Sequence, residues 1–363
     1  MKLTKNEYQI IFDTLGSPFC RKKIIKLPPP GYVDKYYKFL FKNRIALYFF
    51  EEIKKNGFIF KGNLNENYKQ LKKRRLNTNE ILVKLTNILN KKYQNQWVFF
   101  KTLKPFPSTP NDSDFILFDV KKHDQMCKYL ISEGFSLLEK APLQTTLIDD
   151  SGKGLANSDK RGGVWYIDCY KEPGADYFIY LDVEKLKNFK NFKKINGKEI
   201  PTLDVCAELS AICFHGIFPE RTYSIETFYL ILYYLKEIKT DNKVMLFVDF
   251  VKNNNMKSAV AANLILTNKI HNIFFLKNLD IVDEVLSNLE TYNVMKTKFE
   301  YSFPYHFSKR LFFKVLFEKL KEPKSFISLL NQFFHMLNPF FLIGVFIVLY
   351  KRLFKKGGIY KQM

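Results

Sequence analysis

Apolar side chains recur at helical spacing through the first 95 residues of the chain. They follow this spacing between residues 36 and 49, and again between Ile81 and Leu89. Polar, mostly basic residues occupy the positions between them. This pattern is typical of amphipathic helices, so we expect residues 1–95 to form a basic, helical N-terminal region.

The pattern changes between residues 96 and 200, where short runs rich in aromatic and β-branched residues alternate with polar turns. Such runs are typical of strands. An amphipathic segment from His123 to Glu133 lies among them and is predicted to be a helix. Together they predict an α+β domain, with a small mixed sheet and helices on one face. The runs are WVFF at 97–100, FILF at 115–118, QTTLI at 144–148, VWYID at 164–168 and YFIYL at 177–181.

Helical patterns return after Pro201. Thr202 is expected to cap a helix that continues through Cys213, and Ser224 is expected to cap the next one. We therefore expect residues 201–324 to form a helical C-terminal domain. Further apolar helices are predicted at 241–253, 255–270 and 281–292.

Composition and charge narrow the class of protein. The chain has 363 residues, a net charge of +22, 47% hydrophobic residues, and only 15 Gly and 14 Pro, which excludes disordered and fibrous classes. Residues 1–95 hold 21 Lys and Arg against 7 Asp and Glu, whereas residues 111–180 hold 8 against 12. The basic N-terminal region, with Lys72 to Arg75, is thus a candidate surface for nucleic acid. An ordinary solvated helix face, in a chain rich in residues with AT-rich codons, explains the same pattern.

Cysteine usage indicates the compartment. The five cysteines form no C-x-x-C pair and are scattered through apolar segments. A reducing, cytoplasmic compartment is expected. The first residues lack the apolar run and cleavage site of a signal peptide, so none is predicted.

The C-terminal segment 325–363 is predicted to be an apolar tail helix with a basic end. Residues 325 to 350 carry no charge, but polar residues leave a continuous apolar stretch only from Phe340 to Tyr350. Two hypotheses remain open: contact of residues 325–356 with a membrane, helped by the basic flanks, or packing of this segment against protein. The protein would accordingly be cytoplasmic, with or without membrane association through this tail.

The segment from Trp97 to Asp119 carries the most informative chemistry. An apolar strand ends in a polar turn that delivers Asp112 and Asp114 to the start of a second strand. Side chains at i and i+2 of a strand share a face and lie about 6 to 7 Å apart. Two such carboxylates, with Asp168 from a third strand, suit a pair of hard divalent cations, although an Asp-x-Asp pair is also common in turns and caps.

The order of these elements resembles a known family. It is FFKTLKPFPS, then DSDFILF, then a helix ending in SEGFSLLE, then VWYIDCYKE, then a helical segment beginning PTLDVCAELS. Over roughly residues 85–240 this resembles the uncharacterised nucleotidyltransferase family of the polymerase-β-like superfamily. The resemblance implies a nucleotidyltransferase core over 96–200 in which Asp112, Asp114 and Asp168 are catalytic and hold two Mg²⁺ ions. It implies a nucleoside triphosphate as substrate, and an acceptor hydroxyl that Asp168 orients or deprotonates.

One feature departs from that family. The superfamily places a Gly-Ser turn before the paired acids to hold the triphosphate, whereas this chain has Lys101-Thr102 and later Ser108-Thr109. These four residues, with Lys160 and Arg161 in the loop before the Asp168 strand, are the candidates for phosphate binding. A lysine at a strand end and a charged loop tip are also commonly just solvated.

Two further functions remain open at this point. A glycosyltransferase also uses an Asp-x-Asp pair at a strand end, to bind a nucleotide sugar through one metal, and would not need Asp168. A catalytically inactive scaffold of the same fold would bind nucleic acid or membrane through its basic regions. The sequence does not indicate which acceptor a nucleotidyltransferase would use.

Overall fold

The computed structural model describes residues 3–20, 32–110, 112–149, 165–291, 299, 302–337 and 343. The chain divides into two compact units. The first, here called the helical unit, comprises Met1–Leu76, Leu103–Pro110 and Leu203–Lys319. The second, the sheet unit, comprises Asn77–Thr102, Asn111–Thr202 and Leu320–Met363. Parts of the predicted N-terminal helical region and of the predicted C-terminal helical domain thus belong to one unit.

The helical unit contains the helices that the apolar spacing predicts, together with a two-stranded ladder. The ladder pairs Thr222–Tyr223 with Tyr305–His306. The helix α4 (Gly62–Tyr93) has residues in both units. The other helices are α1 (Lys5–Leu15), α2 (Val33–Lys42), α3 (Ala46–Lys55), α7 (Val205–Ile217), α8 (Ile225–Thr240), α9 (Val244–Asn253), α10 (Lys257–Phe275), α11 (Asp280–Leu289) and α12 (Lys309–Lys319).

Aromatic packing forms the core of the helical unit. Phe12 of α1 stacks on Phe274 of α10, with ring centroids 4.1 Å apart, and meets Phe228 of α8 edge-on at 5.3 Å. All three rings are buried. Such pairs add to the free energy of burying their large apolar surfaces. Residues far apart in sequence therefore build one core.

Two local predictions in this unit have different outcomes. Ser224 caps α8, as predicted, because its hydroxyl accepts a hydrogen bond from the Thr227 backbone amide. The Thr202 prediction is wrong: Thr202 lies in a strand, and Asp204 caps α7 through the Cys206 amide at 2.9 Å. Thr and Asp are both good caps, and here the strand Lys198–Leu203 continues past Thr202, so the helix begins after Asp204.

The sheet unit contains a seven-stranded mixed sheet and confirms the α+β class. The strand order is β3-β4-β5-β2-β1-β9-β8. The pairs β2/β5 and β1/β9 are parallel, whereas β1/β2, β3/β4 and β4/β5 are antiparallel. The strands are β1 (Trp97–Phe99), β2 (Asp112–Leu117), β3 (Ser136–Lys140), β4 (Gln144–Asp149), β5 (Trp165–Tyr170), β8 (Lys190–Ile195) and β9 (Lys198–Leu203). A separate ladder joins β6 (Gly174–Ala175) and β7 (Phe178–Ile179).

Three strands of the seven-stranded sheet, β3, β8 and β9, differ from the sequence-based expectation, and one predicted strand is shorter than expected. Strand β3 is exposed along its whole length, and β8 is rich in lysine, so neither shows the apolar signal of a buried strand. Strand β9 was read as the entry to a helix. Of the predicted strand at 177–181, only Phe178 and Ile179 form a strand, in the small ladder with β6.

Helix α5 (His123–Ser132) matches the predicted helix and packs near β4 and β5. The ring Nε2 of His123 lies 3.0 Å from the Cys169 carbonyl oxygen. The Tyr129 hydroxyl donates to the Ile88 carbonyl of α4 at 3.3 Å. These contacts tie α5 to the sheet and to the second half of α4.

Helix α13 (Pro323–Met336) begins two residues before the predicted tail. The Ile179 amide donates to Ser328 Oγ at 2.9 Å, and the His335 ring stacks on Tyr177 with centroids 4.0 Å apart. In the described part of the chain, no helix is long and apolar enough to cross a membrane. Except for Ile343, the apolar stretch from Phe340 to Tyr350 lies outside the described residues.

Candidate functional site

The parallel pair β2/β5 collects the three predicted acids. Asp114 is the register partner of Asp168, and Asp112 is the partner of Tyr166. Ser113, between Asp112 and Asp114, points to the opposite face of the sheet. There its Oγ accepts a hydrogen bond from Trp165 Nε1 at 2.9 Å. Because side chains alternate along a strand, Asp112, Asp114 and Asp168 share one face of the sheet. We call them the carboxylate cluster.

Strand β2 is a rigid support for this cluster. It lies between β1 and β5 in the sheet, and its residues from Phe115 to Leu117 are fully buried. Asp114 itself is 8% exposed, while Asp112 and Asp168 are partly exposed. The local sequence explains this gradient, because the acids stand at the start of the strand and the apolar residues follow.

Lys101 brings a positive charge to the carboxylate cluster. Its Nζ lies 3.9 Å from Asp114 Oδ2, and its side chain is only 14% exposed. Its ammonium also interacts electrostatically with Asp112 and Asp168. The backbone of Lys101 has φ of 58°, in the left-handed region that few residues other than glycine adopt. The predicted phosphate ligand thus lies beside the carboxylates.

Thr102 stabilises the backbone of β2. Its Oγ1 accepts from the Asp114 amide at 2.8 Å and lies 3.2 Å from the Phe100 carbonyl, to which it donates. The residue is 4% exposed. Its hydroxyl therefore positions Asp114.

Asp168 is held by residues that the sequence interpretation missed. The Thr146 hydroxyl of β4 donates to Asp168 Oδ1 at 2.7 Å, from the position directly opposite. Gln144, two residues earlier, also hydrogen bonds to this carboxylate. The alternating polar residues Gln144 and Thr146 in the run QTTLI were the available signal, since they had to share the face of their register partners.

The pKa values of Asp114 and Asp168 are shifted upward. Burial raises the pKa of Asp114, Lys101 opposes this shift, and the negative charges of Asp112 and Asp168 add to it. Burial also raises the pKa of Asp168, as does Asp112, against the hydrogen bond from Thr146. Burial lowers the pKa of Lys101, but attraction to the acids outweighs it and leaves the pKa raised. The site therefore favours added positive charge.

None of the other four predicted phosphate ligands lies among the described residues of the sheet unit. Ser108 and Thr109 lie in Leu103–Pro110, a segment of the helical unit. Lys160 and Arg161 lie outside the described residues. In the basic run at 72–75, Lys72 is exposed on α4, with its Nζ 5.6 Å from the centroid of the Tyr68 ring.

The carboxylate cluster fits a hard divalent cation by donor type, since all its donors are carboxylate oxygens. As the side chains stand, no group of three or more His, Cys, Asp or Glu residues within the described ranges is spaced to hold a metal ion. The ammonium of Lys101 next to Asp114 and the Thr146 hydroxyl on Asp168 occupy coordinating oxygens instead. Metal binding would therefore require these side chains to rearrange.

The arrangement offers three chemical capacities on one face: an anionic site for cations, a proton acceptor at Asp168 and a lysine ammonium. Tyr170 adds a hydroxyl that hydrogen bonds to Asp114.

Comparisons of the chain with models of known families, with curated proteins and with solved structures found no match.

Proposed function

We propose that the sheet unit catalyses metal-dependent nucleotidyl transfer from a nucleoside triphosphate to an acceptor hydroxyl. One observation carries this proposal: Asp114 lies directly opposite Asp168 on adjacent parallel strands, with Asp112 two positions earlier on the same face. A partly buried cluster of like charges is costly for folding, and such clusters are typical of sites that bind cations.

Each acid has a distinct role in this proposal. Asp112 and Asp114 hold Mg²⁺, with Asp168 as a shared ligand. When bound, the divalent cations neutralise phosphate charge and lower the pKa of the attacking hydroxyl. Asp168, oriented by Thr146, accepts the proton of the acceptor hydroxyl. The acceptor oxygen then forms a bond to the α-phosphorus while the bond to the pyrophosphate leaving group breaks.

The turn before the acids supports a nucleotide as substrate. In the family that the sequence resembles, a Gly-Ser turn stands at the position of Lys101-Thr102. Here Lys101 adopts φ of 58°, the backbone conformation that glycine favours. The turn thus keeps the conformation that glycine would provide, and its lysine adds a charge suited to phosphate.

Calorimetric titration of the full chain with a nucleoside triphosphate, with and without Mg²⁺, tests this function. We expect Mg²⁺-dependent binding that Asp112→Ala and Asp114→Ala each abolish. Asp176→Asn is the matched control, because Asp176 is an exposed turn residue of the same unit with φ of 52°, which asparagine tolerates.

Other outcomes would favour the alternatives. Binding of a nucleotide sugar, with Asp168→Asn unimpaired in sugar transfer, would indicate a glycosyltransferase. Absence of any Mg²⁺-dependent nucleotide binding by the folded wild-type chain would contradict the proposal. The catalytically inactive scaffold would then be the remaining hypothesis.

A further inference from the structure

Lys101 is placed as a cation inside the carboxylate cluster. Its Nζ is 3.9 Å from Asp114 Oδ2, and its charge interacts with Asp112 and Asp168 as well. Two aromatic rings also contact this ammonium: the Nζ lies 4.6 Å from the centroid of the Phe100 ring and 5.3 Å from that of the Tyr170 ring. These contacts satisfy an ammonium that is otherwise largely removed from water.

The backbone delivers the ammonium to this position. Lys101 keeps a left-handed conformation that costs a non-glycine residue on the order of 1 kcal/mol or more. The next residue, Thr102, is fixed to β2 by its hydrogen bond with the Asp114 amide. The main chain at Lys101 is thus held, and the ammonium stands at the end of a four-carbon side chain, the part that would have to move if the ammonium left the acids.

We propose that Lys101 is an internal counterion of the carboxylate cluster, which leaves the acids when a divalent cation binds to them. The inference rests on the proposed function for the next step, in which the released ammonium contacts a phosphate of the nucleotide. The physical reason is charge repulsion. An ammonium 3.9 Å from a carboxylate oxygen repels a second cation bound to the same oxygens, and the divalent ion has the larger attraction to the acids.

This role differs from that of a simple phosphate ligand in its effect on metal affinity. A lysine that only binds phosphate would leave the affinity for metal alone unchanged when neutralised. A lysine that competes with the metal for the acids would, when neutralised, raise the affinity of the acids for the metal. The two roles therefore separate in an experiment that contains no nucleotide.

The first experiment titrates the protein with Mn²⁺ alone and measures the free ion by electron paramagnetic resonance. Mn²⁺ prefers the same oxygen ligands as Mg²⁺. At about pH 8.5, where protons compete least, we expect Lys101→Met to bind Mn²⁺ at least about threefold more tightly than wild type. Lys101→Arg keeps the charge and should bind less tightly than Lys101→Met. Lys140→Met removes an exposed lysine of the same unit and should match wild type.

The second experiment needs no substitution at Lys101, so it remains decisive if Lys101→Met does not fold. An amine-acylating reagent is applied to the wild-type chain with and without Mn²⁺, and modification of each lysine is measured by mass spectrometry. We expect Mn²⁺ to increase the acylation rate of Lys101 several-fold relative to that of Lys140.

The outcomes separate this inference from the proposed function. Equal or weaker Mn²⁺ binding by a folded Lys101→Met, or unchanged acylation of Lys101 in wild type with bound Mn²⁺, overturns the counterion role and leaves nucleotidyl transfer standing. Failure of both wild type and Lys101→Met to bind Mn²⁺ overturns the counterion role, and failure of wild type to bind a nucleoside triphosphate with Mg²⁺ as well overturns nucleotidyl transfer.

Discussion

The environment of buried carboxylates in the helical unit differs from that in the carboxylate cluster of the sheet unit. In the helical unit each of three buried or largely buried acids has a lysine close by: Lys35 for Glu7, Lys104 for Glu226 and Lys243 for Asp204. In the sheet unit, the three carboxylates of the carboxylate cluster share, among the described residues, the ammonium of Lys101. The first arrangement balances charge within the fold, and the second leaves a negative excess.

The pKa shifts follow this difference. Burial raises the pKa of Glu7, but hydrogen bonds from Lys35 and Thr4 outweigh it and leave the pKa lowered. Asp204 behaves in the same way, with the Cys206 amide and Lys243 opposing burial. Asp114 and Asp168 instead keep raised pKa values. Glu7 and Asp204 therefore stabilise the folded state when ionised, whereas ionised Asp114 and Asp168 oppose folding unless a further cation joins them.

The largest expected effect concerns the role of Asp168. Asp168→Asn keeps the shape of the side chain but cannot accept a proton, so turnover should fall about 10²-fold or more. Nucleotide affinity should change only a few-fold, because the lost interaction is made mainly in the transition state. Pyrophosphate release measures turnover, and calorimetry measures affinity. An equal loss of both would identify Asp168 as an ordinary metal ligand.

The second prediction breaks a balanced pair in the helical unit. Lys104 and Glu226 are 8% and 9% exposed at their side chains. Lys104→Met leaves a buried carboxylate without its lysine and should lower the free energy of unfolding by about 3 kcal/mol, as measured in urea.

A double variant controls for the lost packing of Lys104. Adding Glu226→Gln to Lys104→Met removes the unpaired charge and should recover part of the loss. If Lys104→Met is as stable as wild type, the pairing of Lys104 with Glu226 does not contribute to the free energy of unfolding, and the comparison fails.

The sequence predicted the strands that carry the acids better than it predicted the side-chain contacts around those acids. The strands of Asp114 and Asp168 were visible because apolar residues follow or surround the acids, as were most helices. The position of Lys101 beside the acids could not be predicted, since a lysine with φ of 58° gives no sequence signal. Thr146 was missed because its role depends on pairing between β4 and β5. The exposed β3 and lysine-rich β8 lacked the apolar pattern on which strand prediction depends.

The third prediction uses pH to sharpen the comparison. The folded-state pKa values of Asp114 and Asp168 are raised above the unfolded value of about 3.9. Their contribution to stability is therefore complete below about pH 4 and is lost as the pH rises through the folded-state pKa values. Asp114→Asn mimics the neutral acid, so without metal it should become progressively more stable relative to wild type as the pH rises.

Urea denaturation of both proteins from about pH 5 to about pH 8 measures this difference. Added Mg²⁺ should reduce it, by stabilising the wild type. A difference that stays constant with pH would show that the cluster does not carry the excess charge inferred here.

The smallest expected effect on stability concerns the exposed face of α13. Phe334 near the end of α13 and Leu337 directly after the helix are 69% and 77% exposed, so replacing both with serine should change the free energy of unfolding by no more than about 0.5 kcal/mol. If this face and the basic residues after it contact a membrane, the same change should reduce co-sedimentation with vesicles of anionic lipid. The matched control replaces Phe313 and Phe317 of α12, which are 51% and 65% exposed, with serine. Equal sedimentation of both variants and wild type would eliminate α13 as the membrane contact, and strong destabilisation by the α13 changes would indicate that this face packs against protein.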